Sequence, residues 1–183
     1  MSTAWSDGHF IAGDIALDFA NTVFRRTPEL GADLLGGADD LMSWLQRAEL
    51  LPSRADSLDD AALRRARVLR EHLWAIFDAQ VDGHSLPAQA LAGLLDTARR
   101  GIGAEVSVHA DGSVAARSAR GALTVLALAG VRLAVSPPPR PVRRCDRCGW
   151  FFLDTSRGRR RRWCSMKTCG NQAKAARFRS AHP

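Results

Sequence analysis

The sequence predicts a mainly α-helical, α+β N-terminal domain with one small β-hairpin, followed by a small C-terminal module organised by four cysteines. Three observations carry this reading. Apolar residues recur at helical spacing over most of residues 1 to 135, a proline run from Ser136 to Pro141 interrupts the chain, and all four cysteines fall in one short stretch as Cys145-x2-Cys148-x15-Cys164-x4-Cys169.

Asp14 is placed to cap a first helix through Ile15, Leu17, Phe19 and Val23, with Phe10-Ile11 before it as a candidate short strand. From Ala38 to Leu51, the residues Leu41, Trp44, Leu45 and Ala48 share one face, which predicts an amphipathic helix ended by Pro52. The longest helical pattern follows: Leu63, Ala66, Leu69, Leu73, Ile76, Phe77 and Val81 form a core stripe, opened by Ser57 with Asp60 three residues on and stopped by Gly83. Pro87 to Arg100 reads as a further helix. Ala104 to His109 and Ser113 to Arg117 flank Asp111-Gly112, a hairpin turn signal. Ala119 to Val135 is apolar on most faces and predicts a buried helix. The proline run cannot continue that helix and favours an extended linker, which divides the chain into residues 1–136, a linker at 137–141 and a module at 142–183.

The net charge of +7 is unevenly distributed. Residues 140 to 183 carry 13 Lys+Arg against Asp146 and Asp154, a net +11, so residues 1 to 139 are acidic by 4. Such asymmetry points the C-terminal module toward a polyanion. No stretch approaches 18 uninterrupted apolar residues, and Met1 to Asp7 has no basic and apolar leader pattern. The chain is therefore expected to be cytoplasmic, with no membrane partner.

In a reducing compartment the cysteine spacing predicts one structural Zn²⁺ per chain, held by Cys145, Cys148, Cys164 and Cys169 in a closed tetrahedron with no position for a reacting water. Two disulfides and an iron–sulfur cluster are the competing readings. Gly149 relieves the turn after the first cysteine pair. Phe151-Phe152-Leu153 is expected to pair with Arg161-Arg162-Trp163 across the turn 154–158, and a helix is expected from about Asn171 to Ser180, a layout similar to a treble clef. Phe178 is expected to join Trp150, Phe152 and Trp163 in a mini-core.

At these residues the chain resembles a family of stress-induced transcription regulators in which a CGNR zinc finger follows an ABATE domain. The resemblance rests on Cys145-x2-Cys148-Gly149-Trp150-x-Phe152-Leu153-Asp154-Thr155-Ser156, on Arg161-Arg162-Trp163-Cys164-Ser165-Met166, and on Cys169-Gly170-Asn171 with Ala173-Lys174. Gln172 stands where the motif has arginine. Upstream, Leu17-Asp18-Phe19-Ala20-Asn21-Thr22, Asp40-Leu41-x2-Trp44-Leu45 and Leu69-Arg70-Glu71-x2-Trp74-x2-Phe77 occur in the family's order.

With the charge, the resemblance implies a non-enzymatic, zinc-dependent regulator that binds duplex DNA. The candidate contacts are Arg157, Arg159, Arg160, Arg161, Arg162 and Lys167 before the last helix, and Asn171, Gln172, Lys174, Arg177 and Arg179 on it, with His182 beyond. Asp18 and Asn21 are polar residues in an apolar helix and are candidates for lining a small-molecule site, so the N-terminal domain is expected to sense an effector or to form a homodimer. Two alternatives remain at this level. One is an RNA-binding module that stacks bases on exposed Trp150 or Phe151. The other is an enzyme acting through the N-terminal domain, although His9, His72, His84 and His109 show no catalytic spacing.

Overall fold

The computed structural model describes residues 3–52, 58–136 and 138–181. A 3₁₀ turn at Asp7–His9 leads to α1 (Ile15–Ala20), α2 (Ala38–Arg47), α3 (Asp60–Asp82) and α4 (Ala88–Gly101). The hairpin β1 (Val106–Val108) and β2 (Val114–Ala116) precedes α5 (Ala119–Val135). The hairpin β3 (Val142–Arg144) and β4 (Phe151–Leu153), a five-residue π-type turn at Met166–Gly170 and α6 (Asn171–Ala181) complete the chain. The mainly helical α+β architecture with a small C-terminal cysteine module is as the sequence predicts.

α5 is the central helix. Leu123, Leu126, Ala127 and Leu133 are buried, and it packs against α1, α3 and α4. The α3 stripe is likewise core, with Leu73, Ile76 and Phe77 fully buried, and Gly83 ends the helix at φ 71°, a left-handed cap that glycine adopts without strain. The side chain of Asp59 caps its start by accepting from the amide of Ala62, so the cap predicted at Ser57 is displaced, and Ser57 itself lies outside the described residues. β1 and β2 pair antiparallel around Asp111-Gly112 as predicted.

α1 is shorter than its apolar pattern. Asp14 caps it, but the helix ends at Ala20, because Asn21 turns out of it and Val23 bridges to Asp33 instead. Phe10-Ile11 forms no strand; Phe10 stacks on Trp44 at 5.4 Å between ring centres. α2 stops at Arg47, four residues before the predicted end, and Glu49 follows at φ 58°.

The largest departure concerns the C-terminal hairpin. β4 pairs with β3, in register Val142 with Leu153 and Arg144 with Phe151, and not with residues 161–163. The carboxylate of Asp154 explains this. It accepts from the amide and hydroxyl of Ser156 and from the amide of Arg161, so residues 155–161 curl around one buried anion and cannot run alongside β4. Burial alone would raise the Asp154 carboxyl, but these hydrogen bonds and the charge of Arg143 hold it below the usual range.

The predicted boundary at the proline run does not separate two cores. Phe151 and Phe152 are fully buried in the same apolar cluster as Phe19, Trp44 and Phe77, and the rings of Phe77 and Phe151 meet edge-to-face at 5.5 Å. Pro137 lies outside the described residues.

Candidate metal centre and basic face

The metal centre is built from two turns. Cys145 and Cys148 occupy the tip of the β3–β4 hairpin, a tight turn closed by hydrogen bonds from the Gly149 amide to the Cys145 carbonyl and from the Cys145 amide to the Trp150 carbonyl. Gly149 sits at φ 73°, and a Cβ there would lie 2.8 Å from Cβ of Arg26, so this position demands glycine twice over. Cys164 follows the basic loop. Cys169 lies in the turn Met166–Gly170, whose start is capped by the hydroxyl of Ser165 accepting from the amide of Lys167.

All four sulfurs lie within 4.8 Å of one another, with Cys148 to Cys164 at 3.6 Å and Cys164 to Cys169 at 3.7 Å. A cation bonded tetrahedrally to four thiolates at about 2.3 Å separates its sulfurs by about 3.8 Å. A disulfide requires about 2.05 Å. The spacing therefore fits four ligands around one metal, and the four cysteines are free thiols with none of these sulfur pairs at bonding distance. Thiols packed this closely compete for charge. Cys145 is held far below the usual thiol range by its contacts with Cys148 and Cys164, while Cys164 is pushed far above it by the same neighbours. A divalent cation lets all four ionise together, so the donor set suits a metal better than it suits free thiols.

The helical domain grips this centre. The amides of Arg26 and Thr27 both donate to the Cys148 carbonyl, at 2.6 and 3.3 Å, and the Trp150 indole donates to the Val23 carbonyl. The guanidinium of Arg26 lies over the rings of Phe151 and Trp74 and forms a bidentate pair with Asp78, which Arg144 of β3 shares while also reaching Asp82. Burial would raise Asp78, yet the two guanidiniums keep it low. Arg70, only 5% exposed, forms a bidentate pair with Asp33 and donates to the Thr22 carbonyl, which fixes the start of the loop that reaches the metal centre. Sequence reasoning did not reach these clamps, since Arg26 and Asp78 carry no motif.

The predicted DNA contacts separate into two groups. Arg161 is committed to the fold: it donates to the carbonyls of Trp163 and Cys164 and lies over the Phe152 ring. Arg162 pairs with Asp146 at 2.6 Å. Arg157, Arg159, Arg160, Lys167, Lys174, Arg177 and Arg179 are exposed and pair with no carboxylate among the described residues. Asn171 donates back to the Lys167 carbonyl, and Gln172 accepts from Arg147.

α6 has no buried residue, and it meets the fold chiefly through the turn before it. Phe178 is 67% exposed and is not part of the apolar cluster that holds Phe152, Trp150 and Trp163. His182 lies outside the described residues. Of the two candidate stacking residues, Phe151 is fully buried and offers no surface, while Trp150 is half-buried, borders a cleft and donates its N–H to the Val23 carbonyl.

Asp18 and Asn21 both serve the backbone. Asp18 accepts from the Ala12 amide, and burial pushes its pKa up to about 7. Asn21 donates to the Phe151 carbonyl and accepts from its amide. A cleft bordered by Cys148, Cys164 and Cys169 of the metal centre includes neither Asp18 nor Asn21; its lining has His9, Phe24, Arg25, Arg147 and Trp150.

The chain matches the ABATE model, described as "Putative stress-induced transcription regulator", over residues 13–137, and the CGNR zinc finger model over residues 142–182. No curated protein matches it. Among the described residues no helix is long and apolar enough to cross a membrane. With the first model spanning well over half of its length and the second covering the four-cysteine module, the chain belongs to the ABATE family and carries a CGNR zinc finger.

Proposed function

We propose that this chain is a cytoplasmic, non-enzymatic transcriptional regulator that contacts duplex DNA through the exposed basic face of its C-terminal module, with one structural Zn²⁺ on Cys145, Cys148, Cys164 and Cys169. Residues 1–136 carry that module and transmit an effector signal or a dimer contact to it. The observation that supports DNA contact is the separation within the basic cluster. Seven cationic side chains, from Arg157 round to Arg179, are exposed and pair with no carboxylate among the described residues, whereas Arg161 and Arg162 are already engaged within the fold. Solubility does not require so strong a local excess, and a polyanionic backbone matches it. α6 stands clear of the core on the same module, which suits an element that enters a groove.

The test is binding of the metal-loaded full-length chain to duplex DNA across a salt series, with single-stranded RNA as competitor. If about five of the free cations touch phosphates, log K falls with log salt at a slope of roughly −4.5. A slope near zero, or preference for the RNA, would reject the reading.

A further inference from the structure

A cleft of about 620 Å³ lies at the seam between the helical domain and the metal module. One wall comes from the N-terminal segment and the loop after α1, with Ile11, Phe24 and Pro28. The other comes from the module, with Trp150 and the turn that carries Thr168 and Cys169. Its volume is that of a small-molecule site. Its chemistry is mixed: the apolar walls are joined by Arg25, Arg147 and His9, the metal-centre residues Cys148, Cys164 and Cys169 also border it, and none of the described residues lining it is a carboxylate. Among the described residues Arg25 has only the exposed Glu29 within ion-pair distance, at 3.8 Å, and its side chain is 42% exposed. Arg147 is exposed and is oriented by Gln172, whose side-chain oxygen accepts from its Nε at 2.8 Å. The remaining guanidinium nitrogens of Arg147 make no hydrogen bond among the described residues.

We propose that this seam cleft binds a small organic anion with a flat apolar body, the body lying among Ile11, Phe24, Pro28 and Trp150 and its carboxylate or similar head meeting Arg25 and Arg147. Planar guanidiniums recognise such heads in a bidentate manner, and an aromatic body replaces water on the apolar walls. Gln172 then has a role that an arginine there could not fill. A second guanidinium would repel Arg147, whereas the amide oxygen holds it toward the cleft. Thr168 and Gln172 also stand at the root of α6, so an occupant contacts both the helical domain and the start of the helix offered to DNA. That coupling rests on the DNA reading above; binding in the cleft does not.

The experiment titrates metal-loaded full-length protein with 2-naphthoate and, separately, with the uncharged 2-naphthylmethanol, read by NMR shifts of backbone amides and indole N–H groups. The expected result is saturable binding of naphthoate, with shifts grouped on both walls, including the Trp150 indole and the amides of His9, Arg25 and Gln172. The alcohol should bind at least 10-fold more weakly. Arg25→Gln, at a half-buried side chain, and Arg147→Gln, at an exposed one, should each weaken naphthoate at least 5-fold and leave the alcohol unchanged. Equal affinity for acid and alcohol, shifts confined to other surfaces, or variants that bind naphthoate like the parent would overturn the proposal. DNA affinity of the same samples without naphthoate is a separate reading, so a failed DNA contact and a failed cleft are told apart.

Discussion

The side chain of Asn21 imitates a β-strand: its Nδ2 donates to the carbonyl of Phe151 and its Oδ1 accepts from the amide of Phe151, each at 2.8 Å, across 130 residues of sequence. A two-way hydrogen bond of this kind fixes one edge of β4 against the end of α1. It also brings the Phe151 ring onto Phe77 of α3, so the metal module shares the core of the helical domain.

Asn21→Ala leaves a buried amide and a buried carbonyl of Phe151 without partners. Each such loss costs about 1–3 kcal/mol, so urea denaturation should show the variant less stable by about 2–4 kcal/mol. Hydrogen exchange should rise first at Phe151. An unchanged midpoint would mean that water replaces the carboxamide without loss.

Metal analysis of purified protein should find one zinc per chain, released only by thiol modification or strong chelation, because the ligands must be thiolates to bind. Cys145→Ser or Cys169→Ser removes a ligand from a closed site. Since Phe151 and Phe152 belong to the common core, metal loss should lower the melting temperature of the whole chain in a single transition. Two separate transitions, with the helical part unaffected, would show that the seam contributes little.

Much of this was legible in sequence, and the parts that were not share a cause. The apolar stripe of α3 and the nearly continuous apolar run of α5 each extend for 17 residues or more, long enough to identify both helices. The cysteine cluster follows from spacing. β3, by contrast, is three residues long, contains two arginines and emerges from a proline run, so no alternation marks it as the partner of β4. The roles of Asn21, Arg26 and Asp78 arise from contacts tens to more than a hundred residues apart, which local patterns do not encode. The basic stretch Arg159 to Arg162 has a visible total charge, yet only the folded loop around Asp154 distinguishes Arg160, which is free, from Arg161, which is spent.

Asp18 provides a pH test. Burial, reinforced by the charge of Asp14, raises its folded pKa from 3.8 to about 7. A raised carboxyl pKa means that the unfolded chain ionises first, so the contribution of Asp18 to stability is fullest below about pH 4 and declines as pH rises toward 7. Asp18→Asn keeps an oxygen for the Ala12 amide but cannot ionise. Between pH 5 and pH 7 the parent should therefore lose about 2–3 kcal/mol relative to the variant, at about 1.4 kcal/mol per unit of pH. Parallel stability curves would show that Asp18 ionises as readily in the native state as in the unfolded chain.

The division of the arginines sets the last expectation, which concerns how a change at each one is read out. Arg157 and Arg160 have no carboxylate partner among the described residues, and their removal touches no internal contact of the side chains. The double change Arg157→Ala with Arg160→Ala should leave the denaturation midpoint within about 0.5 kcal/mol of the parent. It should also flatten the salt dependence of DNA binding by nearly 2 units, at about 0.9 for each phosphate that is no longer neutralised. Arg161→Ala should behave in the opposite way. It deprives the carbonyls of Trp163 and Cys164 of a charged donor and uncovers the Phe152 ring. Stability should fall by about 2 kcal/mol while the salt slope stays near the parent value, because a guanidinium already bound to two carbonyls has little left to offer a phosphate. Equal effects of the two changes on slope and stability would mean that the basic loop reorganises on DNA and that its folded pairing does not assign the roles.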